Sequence, residues 1–220
     1  MPVRRIPKTF RSISGRFPSI INGRCIGYES KLERDYYLRL EFDKSIASYE
    51  EQPIRLAGVV AGKSVSYTPD CLIKYHDPGK ATRLVEIKFQ SELVEKAAEL
   101  EPRFSLARAY ARDHSLEFVI ITDKEIYDGV LDNYRLIYRF GKPPLYFDSR
   151  KRLVIEALKV HGPRSLKDVL ELLADDRISQ AAFMPSIYHL LFLREIAANL
   201  DKPIDYNTIL RTPNGQDDLS

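Results

Sequence analysis

Residues 65–89 read VSYTPDCLIKYHDPGKATRLVEIKF, two runs rich in β-branched and aromatic residues joined by HDPGK. Proline presets φ and glycine accepts a positive φ, so Asp77-Pro78-Gly79 is typical of a turn between antiparallel strands. Counted from that turn, Asp70 lies about eight residues back and Glu86 about eight residues forward. The stretch therefore predicts a β-hairpin that brings the carboxylates of Asp70 and Glu86 close together.

The same hairpin places a lysine beside the two acids. Side chains alternate along a strand, so Glu86 and Lys88 face the same way. Two neighbouring carboxylates raise each other's cost of ionisation, and a hard divalent cation such as Mg²⁺ relieves it. Lys88 would then stabilise developing negative charge or orient an attacking water. The alternative is a solvated cross-strand ion pair with no chemistry.

A helix is predicted ahead of the hairpin, over Glu29–Phe42 (ESKLERDYYLRLEF). Its apolar stripe recurs at four-residue spacing through Leu32, Tyr36 and Leu40. Glu33 borders that stripe, so its carboxylate could turn into a cleft and complete a metal site. Glu29 lies one turn earlier on the same face, and an ordinary charged helix face is the alternative for both acids.

Flanking segments complete a mixed α/β pattern. Short strands are predicted at Ser45–Tyr49 and Ile54–Leu56, and a helical region over Leu93–His114, where Pro102 predicts a kink or two helices. EFVIIT at 117–122 indicates a buried strand. The order of helix, antiparallel strands, helix, strand and helix predicts an α/β domain.

The sequence pattern becomes mainly helical after GKPP at 141–144. Helical patterns follow at Arg152–Val160, at Leu166–Leu173 and around Ser186–Leu200, where Pro185 predicts a break, with a short hairpin near the end. Three short helices of this kind suit a winged-helix or helix-turn-helix-like module. The alternative is a helical appendage that completes the core of the first domain.

Charge is distributed unevenly along the 220 residues, whose formal net charge is +3. Residues 1–28, called the basic arm below, contain no acid, and their basic residues are Arg4, Arg5, Lys8, Arg11, Arg16 and Arg24. Such an arm predicts salt-dependent contacts with DNA phosphates, or else a solubilising tail. Gln90, two residues after Lys88, is predicted to face the same side and contact DNA.

Several classes of protein are excluded or disfavoured. Two cysteines are too few for a disulfide scaffold or a four-cysteine zinc site, and they favour a reducing compartment. The four histidines lack metal-ligand spacing, and a glycine-rich phosphate loop is absent, so ATP binding is expected in a partner. No apolar run approaches the ~18 residues of a membrane span, and no apolar region of a secretory signal follows the basic arm.

Pro69-Asp70 followed by Glu86-Ile87-Lys88 resembles the motif of the PD-(D/E)xK nuclease superfamily, which has the restriction-endonuclease-like fold. The wider sequence resembles the TnsA endonuclease subunit of heteromeric Tns-type transposases over about residues 1–140, and the rest of the chain resembles it more loosely. The segments that carry this resemblance are RSISGRFPS (11–19), GRCIGYESKLERDYYLRLEFD (23–43), SYEEQP (48–53), YTPD (67–70) and FVIITDKEI (118–126).

The resemblance implies a restriction-endonuclease-like mixed sheet flanked by helices, followed by a small winged-helix-like domain. It divides the chain into the basic arm at 1–28, an endonuclease domain at 29–144 and a C-terminal domain at 145–220. Its metal, Mg²⁺ with Mn²⁺ as a substitute, would lie on Glu33, Asp70, Glu86 and the Ile87 carbonyl. Lys88 would complete the catalytic set.

The implied activity is cutting of the 5′ strand at transposon ends. The implied partners are double-stranded DNA, a TnsB-like DDE transposase and a TnsC-like AAA+ ATPase, in the cytoplasm of a bacterium and at the nucleoid when active. Two alternatives stay open at this point. One is a free-standing repair or restriction-type nuclease of the same fold, and the other is a non-catalytic DNA-binding assembly module.

Overall fold

The computed structural model describes residues 13–213, and their contacts divide between Asp128 and Gly129. The division precedes the predicted one at 144/145, and the helix between the two positions belongs to the second unit because Asn133 bonds to residues 200 and 202. Its side-chain amide donates to the Leu200 and Lys202 carbonyls, each at 2.7 Å. Arg4, Arg5, Lys8 and Arg11 of the basic arm lie outside the described residues.

The first unit is a mixture of strands and helices. In chain order its elements are β1 Gly15–Ser19, β2 Arg24–Tyr28, α1 Lys31–Glu41, β3 Ile46–Glu51, β4 Leu56–Val60, β5 Lys63–Tyr67, β6 Cys71–Tyr75, β7 Arg83–Lys88, α2 Gln90–Glu95, α3 Ala97–Asp113, β8 Glu117–Thr122 and α4 Asp123–Ile126.

A mixed four-stranded sheet in the order β3-β6-β7-β8 forms the centre of this unit. Strand β7 pairs antiparallel with β6, with Cys71 opposite Val85, and parallel with β8. Leu84, Val85 and Ile87 are buried in β7, as expected of a strand with neighbours on both sides. The structure thus confirms the predicted mixed α/β class.

Two predicted elements are each divided in the structure, at positions that the sequence did not predict. Residues 65–75 do not form one strand, because β5 ends at Tyr67 and β6 begins at Cys71. The intervening Thr68-Pro69-Asp70 includes a proline, which has no N–H for a strand ladder. Strand β5 instead pairs with β4 in a separate hairpin. The predicted helical region over Leu93–His114 is two helices, but the break lies at Lys96, and Pro102 stays inside α3.

Helix α1 agrees with the prediction over Glu29–Phe42. Ser30 caps it, since the Ser30 hydroxyl accepts from the Glu33 N–H at 3.1 Å. Its apolar stripe, including Leu32 and Leu40, is buried. The helix therefore packs through the face that the four-residue spacing predicted.

The second unit consists mainly of helices. Its elements are α5 Leu131–Tyr138, α6 Phe147–His161, β9 Arg164–Ser165, α7 Leu166–Leu173, α8 Arg177–Phe192 and β10 Ile209–Leu210. Strand β9 pairs antiparallel with β10, and Ala197 pairs with Arg211.

Pro185 lies within α8 and does not precede it, so the predicted start near Ser186 was wrong. The helix begins after Asp176, whose carboxylate accepts from the Ile178 and Ser179 N–H groups. Among residues 13–213, no helix is both long and apolar enough to cross a membrane.

Candidate active site

Asp70 stands just before β6, in register with Glu86 of β7, as the hairpin predicted. Its backbone carbonyl accepts from the Gln52 N–H at 2.9 Å and from the Tyr37 hydroxyl at 3.4 Å. Its carboxylate Oδ2 accepts from the Ile87 N–H at 2.8 Å. Two donors therefore hold the Asp70 backbone, and the Ile87 N–H directs its carboxylate.

Glu86 is buried, with 3% of the residue exposed. Its Oε2 accepts a short hydrogen bond of 2.5 Å from the Tyr67 hydroxyl, and its Oε1 lies 2.8 Å from the Lys88 ammonium. Each oxygen of this buried carboxylate thus has a partner.

The ammonium of Lys88 lies among the oxygens predicted to hold a metal. Its Nζ is 2.8 Å from Glu86 Oε1, 3.3 Å from the Ile87 carbonyl oxygen and 4.0 Å from Asp70 Oδ2. Hard oxygen donors around a positive charge are the ligand set that Mg²⁺ prefers. Asp70, Glu86 and the Ile87 carbonyl therefore fit a hard cation.

Ionisation at this cluster is strongly perturbed. Burial raises the pKa of Asp70 well above its usual range, and the Glu86 carboxylate raises it further. Burial by itself lowers the pKa of Lys88, but Asp70 and Glu86 more than offset this, so that pKa lies above its ordinary value. Burial and Glu86 also raise the pKa of Tyr67, which stays a phenol and donates.

Glu33 has a different local role from the one predicted. Its Oε2 accepts from the Glu29 N–H at 2.8 Å and its Oε1 from the Ser30 hydroxyl at 2.9 Å, so the carboxylate closes the start of α1. Burial raises its pKa, and the charge of Lys88 partly opposes this. Within residues 13–213, no group of three or more His, Cys, Asp or Glu side chains converges to hold a metal. The structure brings two of the three predicted acids together.

A cleft of about 510 Å³ opens on the cluster. Its lining residues are Glu29, Arg55, Ser66, Tyr67, Thr68, Asp70, Glu86, Lys88 and Arg103. Sequence reasoning gave no role to Arg55, Tyr67 or Arg103. Tyr67 stood in the quoted YTPD segment, whereas nothing in the sequence placed the α3 residue Arg103 beside the hairpin.

The described part of the basic arm forms the hairpin β1–β2. Arg16 is exposed on β1, but Arg24 makes a bidentate ion pair with the buried Glu51, with N–O distances of 2.8 and 2.6 Å. The charge of Arg24 is therefore largely neutralised within the protein.

Gln90 does not continue strand β7, which ends at Lys88. It begins helix α2, and its N–H donates to Asp123 Oδ1 at 2.7 Å. The strand alternation used to place its side chain beside Lys88 was therefore wrong, because that alternation stops where the strand stops. Contact of Gln90 with DNA stays a prediction.

Residues 43–123 match the family model described as TnsA-like endonuclease N terminal. The first unit contains a TnsA-like endonuclease domain. The matched range includes Asp70, Glu86 and Lys88, and it begins after Glu33 and ends before the second unit. A comparison with curated proteins gave no match.

Proposed function

We propose that this TnsA-like protein is the DNA endonuclease subunit of a Tn7-type transposase and cuts the 5′ strand at transposon ends by metal-dependent hydrolysis. The observation that carries the proposal is the position of Lys88. Its ammonium lies between the carboxylates of Asp70 and Glu86 in an open cleft of an endonuclease-family domain.

Asp70, Glu86 and the Ile87 carbonyl are the groups that would hold Mg²⁺, or Mn²⁺ in its place, with Glu33 as a further ligand. A bound divalent cation would polarise the scissile phosphodiester and acidify a water. Glu33 would join only by exchanging the hydrogen bonds from Glu29 and Ser30 for the cation. Its contribution is the weakest part of the predicted site.

The chain's own groups hold these ligands and manage charge. The Ile87 N–H directs Asp70, and the Tyr67 hydroxyl directs Glu86. The Lys88 ammonium offsets part of the negative charge of the two carboxylates before substrate arrives. The ammonium has three N–H donors, so the one not used by Glu86 or the Ile87 carbonyl can bind a phosphate oxygen and stabilise negative charge that develops during cleavage.

The second unit supports the expectation of a winged-helix-like domain. The unit runs through helix α6, strand β9 and helices α7 and α8 to a closing β segment. In that segment β10 pairs with β9, and Arg211 pairs with Ala197. We infer that this unit serves partner contact. The partners are a TnsB-like DDE transposase, a TnsC-like AAA+ ATPase and double-stranded DNA of the transposon ends.

The test is a cleavage assay on transposon-end DNA labelled at the 5′ strand. It compares the protein alone with a mixture that also holds the TnsB-like and TnsC-like partners, ATP and Mg²⁺. We expect poor cutting by the protein alone, 5′-strand cutting in the full mixture and none with Asp70→Ala. Asp113→Ala, an exposed substitution at the end of α3, is the matched control.

The outcomes separate the alternatives. Intact 5′-strand cutting by Asp70→Ala in the full mixture contradicts the site. Efficient cutting of naked DNA without partners favours a free-standing nuclease. If Asp70→Ala and Lys88→Ala both assemble normally and change no reaction, the protein is a non-catalytic module. Calorimetric titration with Mn²⁺ adds a reading independent of activity, because uptake should weaken in Asp70→Ala.

A further inference from the structure

Two arginines in the cleft take no part in the carboxylate–lysine cluster. Arg55 precedes β4 and Arg103 lies in α3. The cations of the lining are Arg55, Lys88 and Arg103, and its carboxylates are Glu29, Asp70 and Glu86. Since Lys88 pairs with Glu86 at 2.8 Å, its charge is compensated inside the cluster. The two guanidinium groups are the cations of the lining that lie outside this cluster.

Arg55 is oriented but not neutralised. Its Nε donates to the Ser66 hydroxyl at 2.9 Å, and it forms no ion pair with an acid of residues 13–213. A guanidinium has five N–H donors, so the bond to Ser66 leaves those of both terminal nitrogens. The hydrogen bond also restrains the guanidinium group at the cleft.

Arg103 is held only weakly by its neighbour. It lies 3.4 Å from Glu99, one turn earlier in α3, and the two side chains are 44% and 61% exposed. Exposed ion pairs at this spacing contribute little to stability. Arg103 can therefore exchange Glu99 for an incoming anion at small cost.

The core fixes the separation of the two arginines. Leu56 of β4, Tyr67 of β5 and Ala107 of α3 form one buried cluster, which joins the β4–β5 hairpin to the helix. Arg55 directly precedes Leu56, and Arg103 lies one turn before Ala107. Two guanidinium groups on a shared rigid base suit a ligand with repeated negative charges, such as a polynucleotide strand.

We propose that Arg55 and Arg103 form a phosphate clamp, which holds the backbone of a DNA strand against the Asp70–Glu86 carboxylates. The proposal rests on the nuclease function proposed above. A strand entering the cleft meets repulsion from those carboxylates, and guanidinium forks match phosphate oxygens in pairs. Both arginines line the same cleft as those carboxylates, so the clamp sets the position of the strand at the site.

The clamp is tested by DNA binding without divalent metal. Anisotropy of a short fluorescent duplex is measured in EDTA over a series of NaCl concentrations. Wild type is compared with R55A, R103A, the double variant and R112A, an exposed arginine of α3 outside the cleft lining. We expect the double variant to bind about tenfold or more weakly and to lose roughly two from the slope of log affinity against log salt. R112A should match wild type.

Lysine variants separate charge from fork geometry and serve if the alanine double variant fails to fold. R55K/R103K should keep most of the salt slope but cut several-fold more slowly in the full partner mixture, since lysine binds phosphate as a point charge. Wild-type affinity and slope in the double alanine variant, with its circular dichroism unchanged, would overturn the clamp alone. Absence of both DNA binding and cutting in wild type would refute the nuclease function itself.

Discussion

Two pairs of carboxylates in the first unit, Glu41 with Glu51 and Asp70 with Glu86, have opposite surroundings. Three of the four are buried, and the Asp70 side chain is 17% exposed. Glu41 accepts four hydrogen bonds, from the Ser19 and Tyr49 hydroxyls at 2.6 and 2.7 Å and from the N–H groups of Ile20 and Ile21 at 2.9 and 3.1 Å. Glu51 accepts two from Arg24 and one from the Gly27 N–H at 3.2 Å. These two acids fasten the β1–β2 hairpin to the rest of the unit.

Asp70 and Glu86 have fewer donors and share one ammonium. Burial alone would raise the pKa of Glu51, but the hydrogen bonds from Arg24 and two backbone groups lower it overall. The pKa of Asp70 is instead raised by burial and by Glu86. Glu86 is as buried as the two anchor acids, and the Asp70 side chain is only partly exposed, so the deficit of donors is what distinguishes a site prepared for a cation from a structural anchor.

The largest expected effect separates activity from stability at Asp70. Asp70→Asn should lower 5′-strand cutting by about a thousandfold or more, because a charged ligand is lost from the cluster. It should not lower the free energy of unfolding, since it removes a buried charge that is poorly compensated. Cleavage rates and urea unfolding at neutral pH, both on the same preparation, check the two halves.

Loss of stability in Asp70→Asn comparable to that of an anchor variant would contradict the distinction between the pairs. Unfolding is followed in EDTA, so that metal binding does not enter the comparison.

The second prediction concerns Glu41, where stability should fall and the cleavage rate should not. Glu41→Gln keeps the shape but replaces one acceptor oxygen with an amide that faces existing donors, so the free energy of unfolding should fall by about 3 kcal/mol. The protein that remains folded should cut DNA at the wild-type rate. Denaturant midpoints and active-site-normalised rates measure both effects. Cutting that falls as much as in Asp70→Asn would show that the anchor is part of the site.

The third prediction concerns pH, because the two shifts have opposite signs. The pKa of Glu51 is lowered in the folded state, so its stabilisation is present above its unfolded value of ~4 and lost as pH falls through the folded value. The pKa of Asp70 is raised, so the native state binds the extra proton and stability falls as pH rises between the two values.

Measured from pH 3 to pH 8, the free energies of unfolding of Glu51→Gln and Asp70→Asn should therefore depart from that of wild type in opposite directions. The cost of Glu51→Gln should be about 2 kcal/mol at neutral pH and shrink in acid. Any increase in the free energy of unfolding that Asp70→Asn causes should be absent in acid and should grow as pH rises. Parallel curves for the two variants would mean that the carboxylates are equally satisfied.

The sequence predicted this contrast only in part. The DPG turn and strand alternation were sufficient to place Asp70 opposite Glu86 with Lys88 alongside, because a hairpin's register follows from local chemistry. The burial of Glu86 was not predicted, because it depends on tertiary contacts such as that with Tyr67 of β5.

Local capping and tertiary contacts explain the remaining differences, while the metal role of Glu33 and the DNA contact of Arg24 stay predictions. Glu33 was predicted from its helix face, but the same position is the third residue of α1, where local capping engages it. Arg24 was predicted to contact DNA from charge alone, and its partner Glu51 is 27 residues away in sequence. Pro185 was predicted to break a helix that packing holds together around it. Patterns along the chain fixed strands and turns, whereas partners distant in sequence decided which charges were compensated.

The smallest expected effects come from removing one tyrosine hydroxyl beside each pair of carboxylates. Tyr67 and Tyr49 each donate to a buried carboxylate, at 2.5 Å to Glu86 and at 2.7 Å to Glu41. Tyr67→Phe should slow cutting by about tenfold and change stability by about 1 kcal/mol or less, because Lys88 still pairs with Glu86. Tyr49→Phe makes the same chemical change and should lower stability by about 1 kcal/mol without slowing cutting. Since both variants delete one oxygen from a tyrosine beside an acid, equal effects on the cleavage rate would mean that Tyr67 merely packs and does not orient Glu86.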